Sequence, residues 1–164
     1  MKYTEQNIQH RIFSHFSNCE YRLFNVYLFN DECDFFCITK TGYAIEIEIK
    51  ISRSDYKADL KKTQKHEKYG DKTKTYKPNR FYYAVPNGLI LPEEIPEYAG
   101  LIYVDGWNLK VVKNAPLLHK NKPMEKIVFV KQLLTKYYYR YMEIMKKYEI
   151  RNWEAKFKQQ VIKF

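Results

Sequence analysis

Apolar and ionisable residues alternate most strictly near residues 43–51, where Ile45, Ile47 and Ile49 interleave with Glu46, Glu48 and Lys50. A strand sends successive side chains to opposite faces, so this pattern predicts isoleucines on one face and three ionisable groups on the other. Three charges on one side of a β-branched strand are costly unless that face is wet, paired or holding a metal. Aromatic-rich runs at 21–29 and 33–39 read as two further strands. They are joined by turns at Asn30-Asp31-Glu32 and Thr41-Gly42, and links this short predict an antiparallel meander.

Before the meander, Ile8, Ile12 and Phe16, with Phe13, predict one apolar helix face, with Thr4 as its cap and Glu5 in its first turn. After it, a helix starting at Ser52 or Ser54 and running to about Tyr69 carries a thin apolar face among many charges. Residues 70–79 lack periodicity and predict a polar, mobile loop. Strands follow at 80–85, 101–104 and 109–112, with a short helix at 91–98 that tolerates Pro92 in its first turn. Beyond a Pro-containing connector at 114–123, Ile127, Val130, Leu134, Tyr137, Tyr141, Ile144 and Tyr148 recur at steps of three and four. That is one long helix from Met124, expected to pack on the core, with homodimerisation as the second reading. Trp153, Phe157 and Val161 mark a shorter terminal amphipathic segment.

The formal net charge is +10 over 164 residues. Its placement matters more than its size. Residues 1–109 are balanced, and the whole excess falls on residues 110–164. A balanced part with clustered carboxylates and a basic end predict a partner that is a polyanion, a nucleic acid above all. Three cysteines, Cys19, Cys33 and Cys37, have no metal-site or disulfide spacing and suit a reducing compartment. Without an apolar leader or a membrane-length apolar run, the expectation is a cytoplasmic protein with no membrane partner, in a bacterial or phage-infected cell.

The meander places Asp34 close to the later residues of the third strand. Asp34 and Glu48 are hard oxygen donors of the kind Mg²⁺ or Mn²⁺ accepts, and Lys50 is a charge-stabilising neighbour on the same face as Glu48. The competing reading is a cross-strand Asp–Lys pair, with Glu46 and Glu48 solvated on an exposed face. Glu5 is either a partner of the helix end or a contributor to the acidic site. Asp55, Asp59, Lys62 and His66 fall on one helical stripe. Asp55 and Asp59 read first as structural charges, and His66 as a secondary phosphate or proton contact.

The order helix, Asp34, Glu48-Ile49-Lys50 and then a basic helix resembles the PD-(D/E)XK nuclease superfamily. The run from Glu48 through Asp59, continued by Lys65-His66 and Lys68-Tyr69, is most similar to its MmcB-like DNA-repair branch. The resemblance covers about the first 105 residues. It implies an α/β restriction-endonuclease-like core, a mixed β-sheet flanked by helices, built as helix, three-stranded meander, crossover helix and strand. The expected organisation is a core at 1–112 and a basic, aromatic-rich helical extension at 113–164 packed on it. The implied activity is Mg²⁺- or Mn²⁺-dependent hydrolysis of DNA, the expected work of an endonuclease in repair, recombination or a phage or mobile element. Asp34, Glu48, the Ile49 carbonyl and Glu5 are the implied metal ligands, Lys50 is the catalytic lysine, and Glu46 is a secondary candidate. Cys33 stands where the superfamily has proline, and Gln64 and Tyr69 are one residue too far apart for its exonuclease helix signature. Backbone phosphates are expected at Arg53, Lys57, Lys61, Lys65, Lys72, Lys74, Lys77 and Arg80. The alternatives are a catalytically silent nucleic-acid-binding module on the same fold, and an assembly protein working through its C-terminal helix.

Overall fold

The structure is a computed structural model describing residues 3–122 and 126–161. In chain order its elements are α1 (Glu5–His15), β1 (Cys19–Leu28), β2 (Asp31–Thr39), β3 (Ala44–Ile49), α2 (Arg53–Asp59), α3 (Thr63–Gly70), β4 (Arg80–Pro86), a 3₁₀ turn (Pro92–Glu94), β5 (Ala99–Asp105), β6 (Asn108–Lys113) and α4 (Lys126–Val161). The six strands form one sheet in sequential order. Strand β3 pairs parallel with β4, and β4 with β5, while the other pairs are antiparallel. The chain divides into two units, Met1–Met124 and Glu125–Phe164. Among the described residues no helix is long and apolar enough to cross a membrane.

Helix α1 begins where the Thr4 hydroxyl accepts the Asn7 amide at 3.2 Å, which satisfies one of the amides left over at a helix start. Its Ile8 and Ile12 are buried with Phe35, Cys37, Ile47 and Ile49 on one sheet face. On the opposite face, Tyr56 of α2 and Tyr69 of α3 pack with Phe81, Tyr83 and Val85 of β4. The alternation in β3 therefore sorts as its pattern predicts: isoleucines toward α1, and Glu46 and Glu48 toward α2 and α3.

Several boundaries differ from the sequence reading. The β1–β2 turn is the two-residue pair Phe29-Asn30, both with positive φ (53° and 67°), so Asp31 already pairs with Leu28. Two left-handed residues match the twist of a tight hairpin, and buried Phe29 is held by Phe36 and Tyr76. The single helix expected after Lys50 is two helices. The chain tightens after Asp59, with the Lys61 amide on the Ala58 carbonyl and the Lys62 amide on the Asp59 carbonyl, and Lys62 at φ −77°, ψ 69° leaves the helical region. The short helix expected at 91–98 reduces to the Pro92–Glu94 turn. Helix α4 runs unbroken to Val161 where two segments were expected. Met124, the expected start of that helix, and the side chains of Trp153, Phe157 and Val161 lie outside the described residues.

The loop at 70–79 is pinned at its far end. Asn79, fully buried, accepts the Ala44 amide at 2.8 Å and donates to the carbonyls of His119 (2.9 Å) and Asn121 (2.8 Å). The connector thereby lies against the sheet. Gly100 is required where it passes, because a side chain there would meet the Tyr82 ring at 2.5 Å and the Ala115 nitrogen at 2.6 Å.

Candidate functional site

Asp34 sits at an interruption of the sheet on both sides. The β1–β2 pairing steps from Phe24–Phe35 to Val26–Cys33, and between them Asn25 has a left-handed backbone (φ 47°). The β2–β3 pairing ends at Phe35–Ile47. Past that point the Asp34 carboxylate takes over, its Oδ2 accepting the Ile49 amide at 2.7 Å. Gln9 of α1 braces the other side, its amide nitrogen reaching the Asp34 carbonyl (3.2 Å), the Asn25 side chain (2.6 Å) and Glu5 (3.2 Å). Gln9, an amide that no charge pattern marks, thus joins Glu5 to the Asp34 main chain, and the Asp34 carboxylate joins the end of β3.

Burial pushes the Asp34 carboxyl up to about 7, and the charge of Glu48 adds to the rise, against the Ile49 amide bond and Lys50, which pull it down; Glu5 adds to the rise. Glu48 itself is clasped. Its Oε1 accepts from Lys50 Nζ at 2.8 Å and its Oε2 from Lys65 Nζ at 2.8 Å. Lys50 also lies 3.7 Å from Asp55 and 3.8 Å from Asp59, and Lys65 lies 3.8 Å from Glu46 and 3.9 Å from Asp59. Burial lowers the pKa of both lysines, but the carboxylates around them outweigh it and hold both above the ordinary value. Glu46, wholly buried, accepts from the Tyr69 hydroxyl at 2.8 Å on both oxygens, and burial pushes it up to about 7. The charged face of β3 is therefore paired, not solvated.

Two expected phosphate contacts are corrected by burial. Lys65, 3% exposed, is an internal counter-ion because the break after Asp59 turns α3 toward the sheet. Lys77, 1% exposed, donates to the carbonyls of Lys68, Tyr69 and Asp71 and so caps the end of α3. Lys57, Lys61, Lys72 and Lys74 are exposed. Arg53 is exposed too but bonds the Leu89 carbonyl at 2.8 Å and pairs with Glu94, and half-buried Arg80 donates to the Ala115 carbonyl.

The Asp59–Lys62–His66 grouping persists across the helix break, as a structural cluster. Asp59 accepts from the Tyr83 hydroxyl at 2.7 Å and lies 3.3 Å from Lys62. Burial raises its pKa, but Lys65 and Lys50 more than offset this and hold it low. His66 has one ring nitrogen on the Asp59 carbonyl (2.8 Å) and the other on the Tyr98 hydroxyl. Asp55 stays half-exposed beside Lys50. Lys65, Tyr69 and Tyr83 were missed as partners of the carboxylates. The spacing of Lys65 and Tyr69, one helical turn apart, is the signal that could have found the first two.

Among the described residues no group of three or more His, Cys, Asp and Glu side chains is arranged to hold a metal ion. What β2 and β3 bring together is a pair, Asp34 and Glu48, with the main chain at Ile49. This hard-oxygen donor set fits a divalent cation that draws its remaining ligands from water and a phosphate. The raised Asp34 pKa beside Glu48 has the sign such a charge would relieve. Lys50 or Lys65 would have to release an oxygen of Glu48 to admit it.

No protein-family model and no curated protein matches the chain. A solved structure of a protein of unknown function from Silicibacter pomeroyi is similar, with 21% identity, a TM-score of 0.61, and coverage of 85% of this chain and 90% of that one. At that identity the likeness extends to the fold alone: a mixed sheet flanked by helices.

Proposed function

We propose that the protein hydrolyses phosphodiester bonds of DNA with Mg²⁺ or Mn²⁺ held at Asp34 and Glu48, on a restriction-endonuclease-like core. The observation that carries this reading is the Asp34–Ile49 bond where the β2–β3 pairing ends. It sets a carboxylate beside Glu48 at the C-terminal end of a parallel strand, the edge where open α/β sheets bind ligands. Asp34, Glu48 and the Ile49 carbonyl would hold the ion, with Glu5 behind them. A metal bound there polarises a phosphoryl oxygen and acidifies water. Gln9 fixes Asp34 through its main chain. Lys65 keeps one oxygen of Glu48 oriented. Lys50, exchanging Glu48 for substrate, brings an ammonium to the phosphate as negative charge builds on it. Exposed Lys57, Lys61, Lys72 and Lys74 supply sequence-independent contacts to the backbone. The seam of Val130, Leu134, Tyr137, Tyr141, Ile144 and Tyr148 on α4 supports a second copy as a further partner.

One observation favours a second reading, a nucleic-acid-binding module without turnover: both oxygens of Glu48 are already neutralised by lysines. Incubating plasmid, linear duplex, single-stranded, nicked and branched DNA with Mg²⁺ or Mn²⁺ separates the two. Cleavage above the level of Asp34→Ala and Lys50→Ala proteins is the expected result. DNA bound but uncut by all three proteins leaves the silent module.

A further inference from the structure

The turn between β5 and β6 presents Trp107, 71% exposed and the most open large apolar side chain among the described residues of the first unit. It is nevertheless fixed. The Arg11 guanidinium lies 5.4 Å from the indole centre and 5.6 Å from the Tyr3 ring, and His10 meets the indole edge-on at 5.9 Å. The Tyr3 hydroxyl accepts the Gly106 amide at 3.2 Å, tying the turn to the start of the chain. Arg11 is itself buried, at 4% exposure. One part of the indole thus rests against a buried cation, and the rest stays open to solvent.

A single exposed aromatic side chain is ordinary on a protein surface. An indole held in place by a buried guanidinium, a histidine and a tyrosine-anchored turn is a prepared surface, and a flat one. Its neighbours His10, Asn108 and Lys110 are exposed and polar, which gives the indole a polar and partly basic rim. A flat, sequence-tolerant aromatic ligand carried on an anionic chain suits this setting, because bases stack on such side chains while cations meet the phosphates. Helix α1 joins this corner to the candidate site, since Gln9 braces Asp34 while its chain neighbours His10 and Arg11 hold Trp107. The turn also lies beyond the same end of the sheet: Ile49 pairs with Ala84 and Ala84 with Ile102, and β5 runs on from Ile102 to Asp105 before the turn.

We propose that Trp107 is a stacking platform for an unpaired base of a nucleic-acid strand. The proposal rests on the nucleic-acid reading of the neighbouring site and needs no turnover. The test uses the full chain in chelator, with Trp153→Phe so that emission reports Trp107 alone, titrated with a fluorescein-labelled oligothymidylate for anisotropy and an unlabelled one for emission. Saturable quenching of the indole is expected, with blunt duplex producing none. Trp107→Ala should weaken oligothymidylate binding about tenfold, the size of one lost base stack, with an unchanged salt slope because the phosphate contacts remain. Binding by anisotropy with no quenching and no loss in Trp107→Ala overturns the platform while leaving DNA binding intact. No binding at low salt overturns both the platform and the reading beneath it. A dimer in sedimentation that Trp107→Ala dissolves assigns the indole to a second copy and also overturns the proposal.

Discussion

Asp34 Oδ2 accepts the backbone amide of Ile49 at 2.7 Å, where the β2–β3 pairing has ended at Phe35–Ile47. One carboxylate therefore takes over where the pairing ends, and it is the one proposed above as a metal ligand, so a substitution can separate the two roles. Asp34→Asn keeps an oxygen for the Ile49 amide and loses the charge. We expect Asp34→Asn and Asp34→Ala alike to lose Mn²⁺ binding in calorimetry, and Asp34→Asn to keep the parent denaturation midpoint. Mn²⁺ affinity equal to the parent in both would remove Asp34 from the ligand set.

Lys65 is expected to matter for stability rather than for DNA affinity. Its ammonium is the inner partner of Glu48, Glu46 and Asp59, and removing one partner of a buried ion pair costs about 3–5 kcal/mol. Lys65→Met should lower the urea midpoint accordingly, and Lys61→Met, on the exposed side of the same break, should leave it near the parent value. A Lys65→Met protein as stable as the parent would contradict the buried network.

The strand alternation was legible because its period is two and one face is uniformly isoleucine; Ile47 and Ile49 are indeed buried with α1. The Thr4 cap and the proximity of Glu48 and Lys50 were legible for the same local reason. What was not legible depended on distant partners. Lys65 and Lys77 look like solvent lysines in any window of sequence, and only the turn after Asp59 and the closing of residues 70–79 decide that they are inside. Gln9 and Asn25 carry no charge or motif, yet they fix the Asp34 main chain. Phe29 at φ 53° defies residue preference, its ring being held between Phe36 and Tyr76.

Glu46 gives a pH dependence. Burial pushes its folded-state pKa up to about 7, above the ordinary 4.5 of a glutamate. An acid with a raised folded-state pKa binds its proton more tightly in the folded chain. Its contribution is therefore most favourable at low pH and declines as pH rises from 4.5 through about 7. Glu46→Gln keeps an acceptor for the Tyr69 hydroxyl and removes the titration. Urea denaturation at pH 5 and pH 8 should show Glu46→Gln gaining stability relative to the parent at the higher pH. A difference between the two proteins that is the same at both pH values would mean that Glu46 is ionised throughout.

The exposed lysines predict the form of DNA binding. Burial removes Lys65 and Lys77 from the surface, while Lys57, Lys61, Lys72 and Lys74 remain at it. Each lysine that neutralises a phosphate releases about one counterion, so affinity should fall linearly on a log–log plot against salt. Replacing one such lysine should reduce the slope by about one and weaken binding evenly across DNA sequences. Lys57→Ala, Lys61→Ala, Lys72→Ala and Lys74→Ala, measured separately by anisotropy on a duplex in chelator from low to high salt, test this directly. Lys65→Met should leave the slope unchanged despite its lower stability, because its ammonium is already spent on Glu48. A slope that falls in Lys65→Met but in none of the four surface variants would place the phosphates inside the carboxylate site and not along its rim.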